Sequence, residues 1–235
     1  MKESRSRIIV ALDYQTADQA ECFVKTVSPE HCALKVGKEL FTSAGPRFVE
    51  HLVAQGFDVF LDLKFHDIPH TVNKAITAAC NLGVWMVNVH ALGGREMLSA
   101  AKEAVDSCGA QRPLLIAVSV LTSMNQAALA ELGIDKPVAN LVSDLTQLSL
   151  DCGLDGMVCS AREVTELRLK FGAQPLFVTP GIRPAGSDSN DQQRIMTPEA
   201  AIQAGSSFLV IGRPITQHEH PSSALQQINQ SLAGL

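Results

Sequence analysis

Apolar residues along the chain fall into short β-branched runs that alternate with longer stretches of helical period from one end to the other. Eight runs predict strands, at residues 7–13 (RIIVALD), 33–37 (ALKVG), 58–65 (DVFLDLKF), 86–91 (MVNVHA), 114–121 (LLIAVSVL), 156–161 (GMVCSA), 175–181 (PLFVTPG) and 207–213 (SFLVIGR). Amphipathic segments between and after them, among them 43–56, 94–109, 137–153 and 221–234, predict eight helices, several closed by a glycine that suits a helix C-terminus. No linker, low-complexity tract or like-charge block divides the chain. It is therefore read as one domain, residues 1–235, of eight β/α units. Two connections are longer, 122–136 and 182–196, and loops of that length and composition predict lids over a site.

Alternation within the strands separates two faces. Val59, Leu61 and Leu63 share one, while Phe60, Asp62 and Lys64 share the other. Strand one sets Ile8, Val10 and Leu12 against a face that ends at Asp13. Strand two sets Leu34 and Val36 against Lys35, and strand four sets Val87 and Val89 against Asn88 and His90. Polar groups thus converge at the carboxyl ends of several strands. An open sheet gathers its ligand at one switch point, whereas a barrel gathers all its strand ends around one mouth. The expected fold is α/β, a (β/α)8 TIM barrel. The missing G-x-G-x-x-G after the first strand removes the main argument for a dinucleotide-binding sheet.

Composition narrows the partners. The 235 residues are 46% hydrophobic, enough for a sizeable core, and the net charge is −5 with 19 Lys and Arg scattered along the chain. That balance gives no footprint for nucleic acid or an anionic membrane. The first residues run straight into a strand, and no apolar run reaches the ~18 residues of a membrane span, so a cytoplasmic location is expected. Six cysteines without C-x-x-C spacing are read as free thiols. His66 and His70 are four apart, but Pro69 between them argues against a helix that would aim both at a metal.

Asp13, Lys35, Asp62, Lys64 and Asp67 carry alternating charge at strand ends. Unpaired ions there are costly, and a network of both signs is tolerable. One Asp-x-Lys pair is most simply a structural ion pair; five such residues at three strand ends point to a site. Lys64, placed between two carboxylates, is expected to keep its cationic form and serve as a proton donor.

With "ALD" at 11, "KVG" at 35, "LDLKFHDIP" at 61, "VLTS" at 120, "TPGIR" at 179 and "IGRPI" at 211, the chain resembles the orotidine 5'-phosphate decarboxylase family over nearly its whole length. The resemblance implies decarboxylation of orotidine 5'-phosphate to uridine 5'-phosphate by a homodimer, with no cofactor and no metal. It implies that Lys64 protonates C6 of the pyrimidine, with Lys35, Asp62 and Asp67 completing the charge network. Asp67 and Thr71 are then expected to reach the neighbouring subunit's site. Asp13 would hold ribose hydroxyls, Thr122 the pyrimidine edge, and Gln192, Gly212 and Arg213 the phosphate, with Arg183 nearby on the closing loop. Two other readings are a magnesium-dependent barrel resembling 3-keto-L-gulonate 6-phosphate decarboxylase and a non-catalytic nucleotide-binding barrel. The former group carries a Glu for its metal where this chain has Lys35, and intact Lys64 and Asp62 speak against the latter.

Overall fold

A computed structural model describes residues 6–184 and 196–235. Eight parallel strands, β1 (Ile8–Ala11), β2 (Ala33–Gly37), β3 (Val59–Phe65), β4 (Met86–His90), β5 (Leu114–Val118), β6 (Gly156–Val158), β7 (Leu176–Thr179) and β8 (Phe208–Ile211), pair in sequence order. β8 returns to β1 through Ile8↔Leu209 and Ile9↔Val210, which closes the barrel and leaves no strand edge unpaired.

Eleven α-helices occur among the described residues. They are α1 (Ala17–Val24), α2 (Lys38–Ala44), α3 (Pro46–Ala54), α4 (Pro69–Asn81), α5 (Gly94–Asp106), α6 (Gln126–Glu131), α7 (Val138–Asp151), α8 (Val164–Phe171), α9 (Pro198–Gln203), α10 (Arg213–Thr216) and α11 (Pro221–Leu232). The sequence predicted eight. The surplus comes from short pieces: α2 and α3 are separated at Gly45, with Pro46 opening the second, α10 is a single turn after β8, and α6 lies inside the 122–136 connection. Only the start and end of the second long connection fall within the described residues. There Ile182 bridges Met196, and the Arg183 N–H donates to the Met196 carbonyl at 3.0 Å. Among the described residues no helix is long and apolar enough to cross a membrane.

Two apolar layers follow from strand alternation. Ile8, Val10, Leu34, Val36, Val59 and Leu61 face outward and pack beneath the helices, and all are 0–1% exposed. Ile9, Ala33, Phe60, Met86, Ile116 and Val178 face inward and fill the barrel axis. Each fully buried large side chain contributes about 1.5–3 kcal/mol. This filling makes the barrel a solid core rather than a pore. At the opposite end, Arg112 forks onto Asp155 with two 2.8 Å contacts, and Asp155 also accepts the Leu115 N–H at 2.7 Å. All six cysteines are free; Cys32 and Cys159 are buried, and burial pushes the Cys32 thiol up to about 12.

Candidate active site

The carboxyl half of β3 departs from regular strand geometry. Its register against β4 shifts between Leu61 and Phe65, and Lys64 has φ +52°, the only positive φ outside glycine among the described residues. A left-handed backbone at a residue with a Cβ costs about 1–2 kcal/mol and persists only when its surroundings impose it. Here the Lys64 N–H leaves the strand ladder and donates to Asn88 Oδ1 at 2.7 Å. Asn88, on the inner face of β4, is fully buried, and its Nδ2 donates to Asp62 Oδ1 at 2.7 Å.

Asp62 is the hub. Lys64 Nζ lies 2.6 Å from Oδ1 and Lys35 Nζ 3.5 Å from Oδ2, and Lys35 Nζ lies 3.3 Å from Asp13 Oδ1 on β1's carboxyl end. A Cβ at Gly37 would come within 3.1 Å of Lys35 Nζ, so the absent side chain leaves room for the ammonium. Burial alone would push the Asp62 carboxyl up. Lys35, Lys64 and the hydrogen bonds from Lys64 and Asn88 outweigh it and hold the group below the ordinary carboxylate range. The sequence placed Lys64 between two carboxylates; within one chain that position belongs to Lys35, and Lys64 meets Asp62.

Above the apolar floor opens a cavity of about 170 Å3 lined by Lys35, Phe60, Asp62, Lys64 and Thr122. A second, of about 150 Å3, lies beside it against Asp13, Gly37 and Lys38, so the charged network is their common wall. The cavities offer a planar ligand a fixed array of charge on one side and valines 118, 158 and 210 on another.

At the ends of β7 and β8 the charge is positive. Arg183 is only 6% exposed; its Nη1 donates to the Ile182 carbonyl at 2.9 Å, while its buried Nε has no partner among the described residues. Burial and then the Arg213 cation lower the Arg183 pKa. Two guanidiniums that disfavour each other, one with an orphaned donor, supply the positive charge and the N–H groups that an anion would need. Gly212 precedes Arg213, and a Cβ on it would meet Asp13 Oδ2 at 3.5 Å, an ordinary contact, so the protein's own packing does not demand glycine there. Gln192 lies outside the described residues.

Asp67 and Thr71 sit on the exposed side of the segment leaving β3. The Asp67 carboxylate accepts the Ile68 N–H at 2.7 Å, and Ile68 beside it is 66% exposed. His66 stacks on His90 with ring centroids 5.5 Å apart. His90 Nδ1 accepts the Leu92 N–H at 3.4 Å, which assigns a neutral ring with its proton on Nε2. Burial, then the charges of His66, Lys64 and Lys38, lower the His90 pKa. His70 is exposed in the first turn of α4. Among the described residues no group of three or more His, Cys, Asp or Glu side chains is arranged to hold a metal ion.

Fold and site together define a class: a (β/α)8-barrel enzyme whose mouth carries a preformed electrostatic site beside two neighbouring guanidiniums. Residues 6–228 match the model of the orotidine 5'-phosphate decarboxylase / HUMPS family, and the chain belongs to that family. It is 58% identical to the orotidine 5'-phosphate decarboxylase of Psychromonas ingrahamii, over 96% of this chain and 97% of that one. With the enzyme of the same name from Pseudoalteromonas translucida it shares 56% over 98% of both chains. The crystal structure of orotidine 5'-phosphate decarboxylase from Lactobacillus acidophilus superposes with a TM-score of 0.86 at 38% identity, covering 95% of this chain and 97% of that one.

Proposed function

We propose that the chain decarboxylates orotidine 5'-phosphate to uridine 5'-phosphate and CO2, a step of pyrimidine nucleotide synthesis. The observation that carries this reading is the Asp62 carboxylate held between the Lys35 and Lys64 ammoniums at the wall of the mouth cavity. It occurs in a chain more than half identical to enzymes bearing that name. When the C6–carboxylate bond breaks, its electron pair stays on C6 with no adjacent carbonyl to receive it, and CO2 departs neutral. Fixed charge is the remaining means of lowering the barrier. Lys64 supplies a cation against the developing carbanion and passes an Nζ proton to C6; the resulting amine regains a proton from solvent. Asp62 holds the Lys64 ammonium in place.

In this reading Asp13 holds the ribose, Thr122 the pyrimidine edge, and Arg183, Gln192, Gly212 and Arg213 the phosphate. Closure of the 182–196 connection over the phosphate then excludes water and presses the ring toward Lys64. Asp67 and Thr71, exposed on their own barrel, serve the site of a second subunit in a homodimer. The working compartment is the cytoplasm.

The magnesium-dependent reading is disfavoured by Lys35. Its ammonium lies within 3.5 Å of both Asp13 and Asp62, in the space a divalent ion would share with those carboxylates, and two cations there repel. Incubating the purified protein with orotidine 5'-phosphate, with and without a chelator, tests the proposal. Uridine 5'-phosphate should form at the same rate in both. Absence of product, or loss of turnover on chelation, would overturn it.

A further inference from the structure

The function proposed above uses Lys35, Lys64 and Asp13 around Asp62 and leaves Asn88 without a role, although it bonds to two parts of that network. Asn88 is fully buried on the strand next to β3, and its two polar atoms are each committed to a different part of the reacting apparatus. Nδ2 donates to the Asp62 oxygen that also receives the Lys64 ammonium, and Oδ1 accepts the backbone N–H of Lys64 itself, both at 2.7 Å. The amide thus joins the carboxylate that aims the ammonium to the backbone from which the ammonium is carried.

That backbone cannot hold its shape unaided. Lys64 lies at φ +52° where the β3–β4 register shifts, so its N–H has left the regular strand ladder. Without Oδ1 the N–H is a buried donor lacking an acceptor, and relaxing toward ordinary strand geometry would swing the side chain. Without Nδ2, Asp62 is oriented by the two lysines alone.

Resting on the decarboxylase reading, we propose that Asn88 is a positioning residue for catalysis, a two-sided clamp that sets the Lys64 ammonium against C6 by fixing the Lys64 peptide and the Asp62 carboxylate together. The group must be neutral, with one donor and one acceptor. An aspartate carboxyl of the same shape reproduces it only when protonated, its O–H donating to Asp62 and its other oxygen accepting from Lys64.

Three variants test this in the full-length protein: Asn88→Leu, Asn88→Ala and Asn88→Asp, each checked for wild-type far-UV circular dichroism. Asn88→Leu fills the volume and removes both hydrogen bonds, so kcat should fall about 10²-fold while the affinity for uridine 5'-phosphate stays within about threefold. Asn88→Ala leaves space for a bridging water and should lose less. For Asn88→Asp, the ratio of its kcat to that of wild type should climb as pH falls, because the introduced carboxyl faces Asp62 and works only when it carries a proton. A variant-to-wild-type ratio flat with pH would overturn the clamp. So would kcat unchanged in the Leu and Ala variants, or a loss confined to KM. If Asn88→Leu fails to fold, the pH ratio of Asn88→Asp and the kcat of Asn88→Ala still decide. Wild-type protein that makes no uridine 5'-phosphate would sink the decarboxylase reading, whereas active wild type with unaffected variants would sink the clamp alone.

Discussion

Asp62 and Lys64 stand two positions apart on one strand, a separation of about 6.6 Å in a regular β-conformation, yet their charged atoms meet at 2.6 Å. The lysine backbone is left-handed there, and its long side chain spans the gap to the carboxylate. A flexible cation becomes a fixed one, aimed into the mouth cavity before any ligand arrives. Preorganisation of that kind is what an electrostatic catalyst requires.

Replacing Lys64 with Ala should lower kcat by more than about 10³-fold, because both a fixed charge and a proton donor are lost. Binding of uridine 5'-phosphate should survive. Steady-state kinetics with calorimetric titration of the product checks both halves, and near-normal turnover would remove Lys64 from the mechanism.

The two arginines separate by their burial. Arg213→Ala should weaken binding of uridine 5'-phosphate on the order of 10²-fold and leave the weak binding of uridine unchanged. Arg183→Met removes a buried guanidinium that is disfavoured by burial and by Arg213, so the ligand-free protein should melt no lower than wild type. Inorganic phosphate should then raise the melting temperature of wild type more than that of the variant. Equal stabilisation of both by phosphate would show that Arg183 does not meet the anion.

Subunit mixing tests the proposed dimer. If Asp67 serves the neighbouring site while Lys64 serves its own, a heterodimer of Lys64→Ala with Asp67→Ala holds one doubly damaged site and one intact site. Random exchange makes about half the dimers mixed, so roughly a quarter of all sites should be restored, as two-fold symmetry requires. Asp62→Ala mixed with Lys64→Ala is the control and should stay inactive. Exchange without recovery in the first pair would place Asp67 in its own subunit's site.

His90 supplies a pH dependence of known sign. Its folded pKa lies below the ordinary 6.5, so between those two values the unfolded chain binds a proton that the folded chain does not. Stability should therefore fall as pH drops below about 6.5 and level off below the folded pKa. Urea midpoints measured across that window should fall less for His90→Asn, whose side-chain oxygen can still accept from Leu92. Parallel midpoints for the two proteins would assign the pH dependence to other groups.

The barrel was legible in the chain because its two faces are written in alternation, with Leu34 and Val36 outward and Lys35 inward, or Leu61 outward and Phe60 and Asp62 inward. Such patterns depend on neighbours in sequence, and the structure keeps them. Helix number was not legible, since α6 and α10 are too short for a 3.6-residue period to register. The contacts of Asn88 and the mutual repulsion of Arg183 and Arg213 were hidden for another reason. Asn88 reaches Asp62 and Lys64 only through the β3–β4 register, and Arg183 feels Arg213 only because β7 and β8 are neighbours. Alternation did place Asn88 inside the barrel, and an inward amide on the strand beside an inward carboxylate was the available signal.

The left-handed backbone of Lys64 also bears on how this protein changes over generations. Glycine normally weakens a strand relative to alanine by about 0.5–1 kcal/mol, but at φ +52° the order should invert. Lys64→Gly should then outlast Lys64→Ala on heating, although both are inactive. The surroundings thus impose on position 64 a backbone shape that a lysine disfavours, and turnover is what demands a lysine there. In a lineage freed from that demand, position 64 is where drift toward glycine or asparagine should begin.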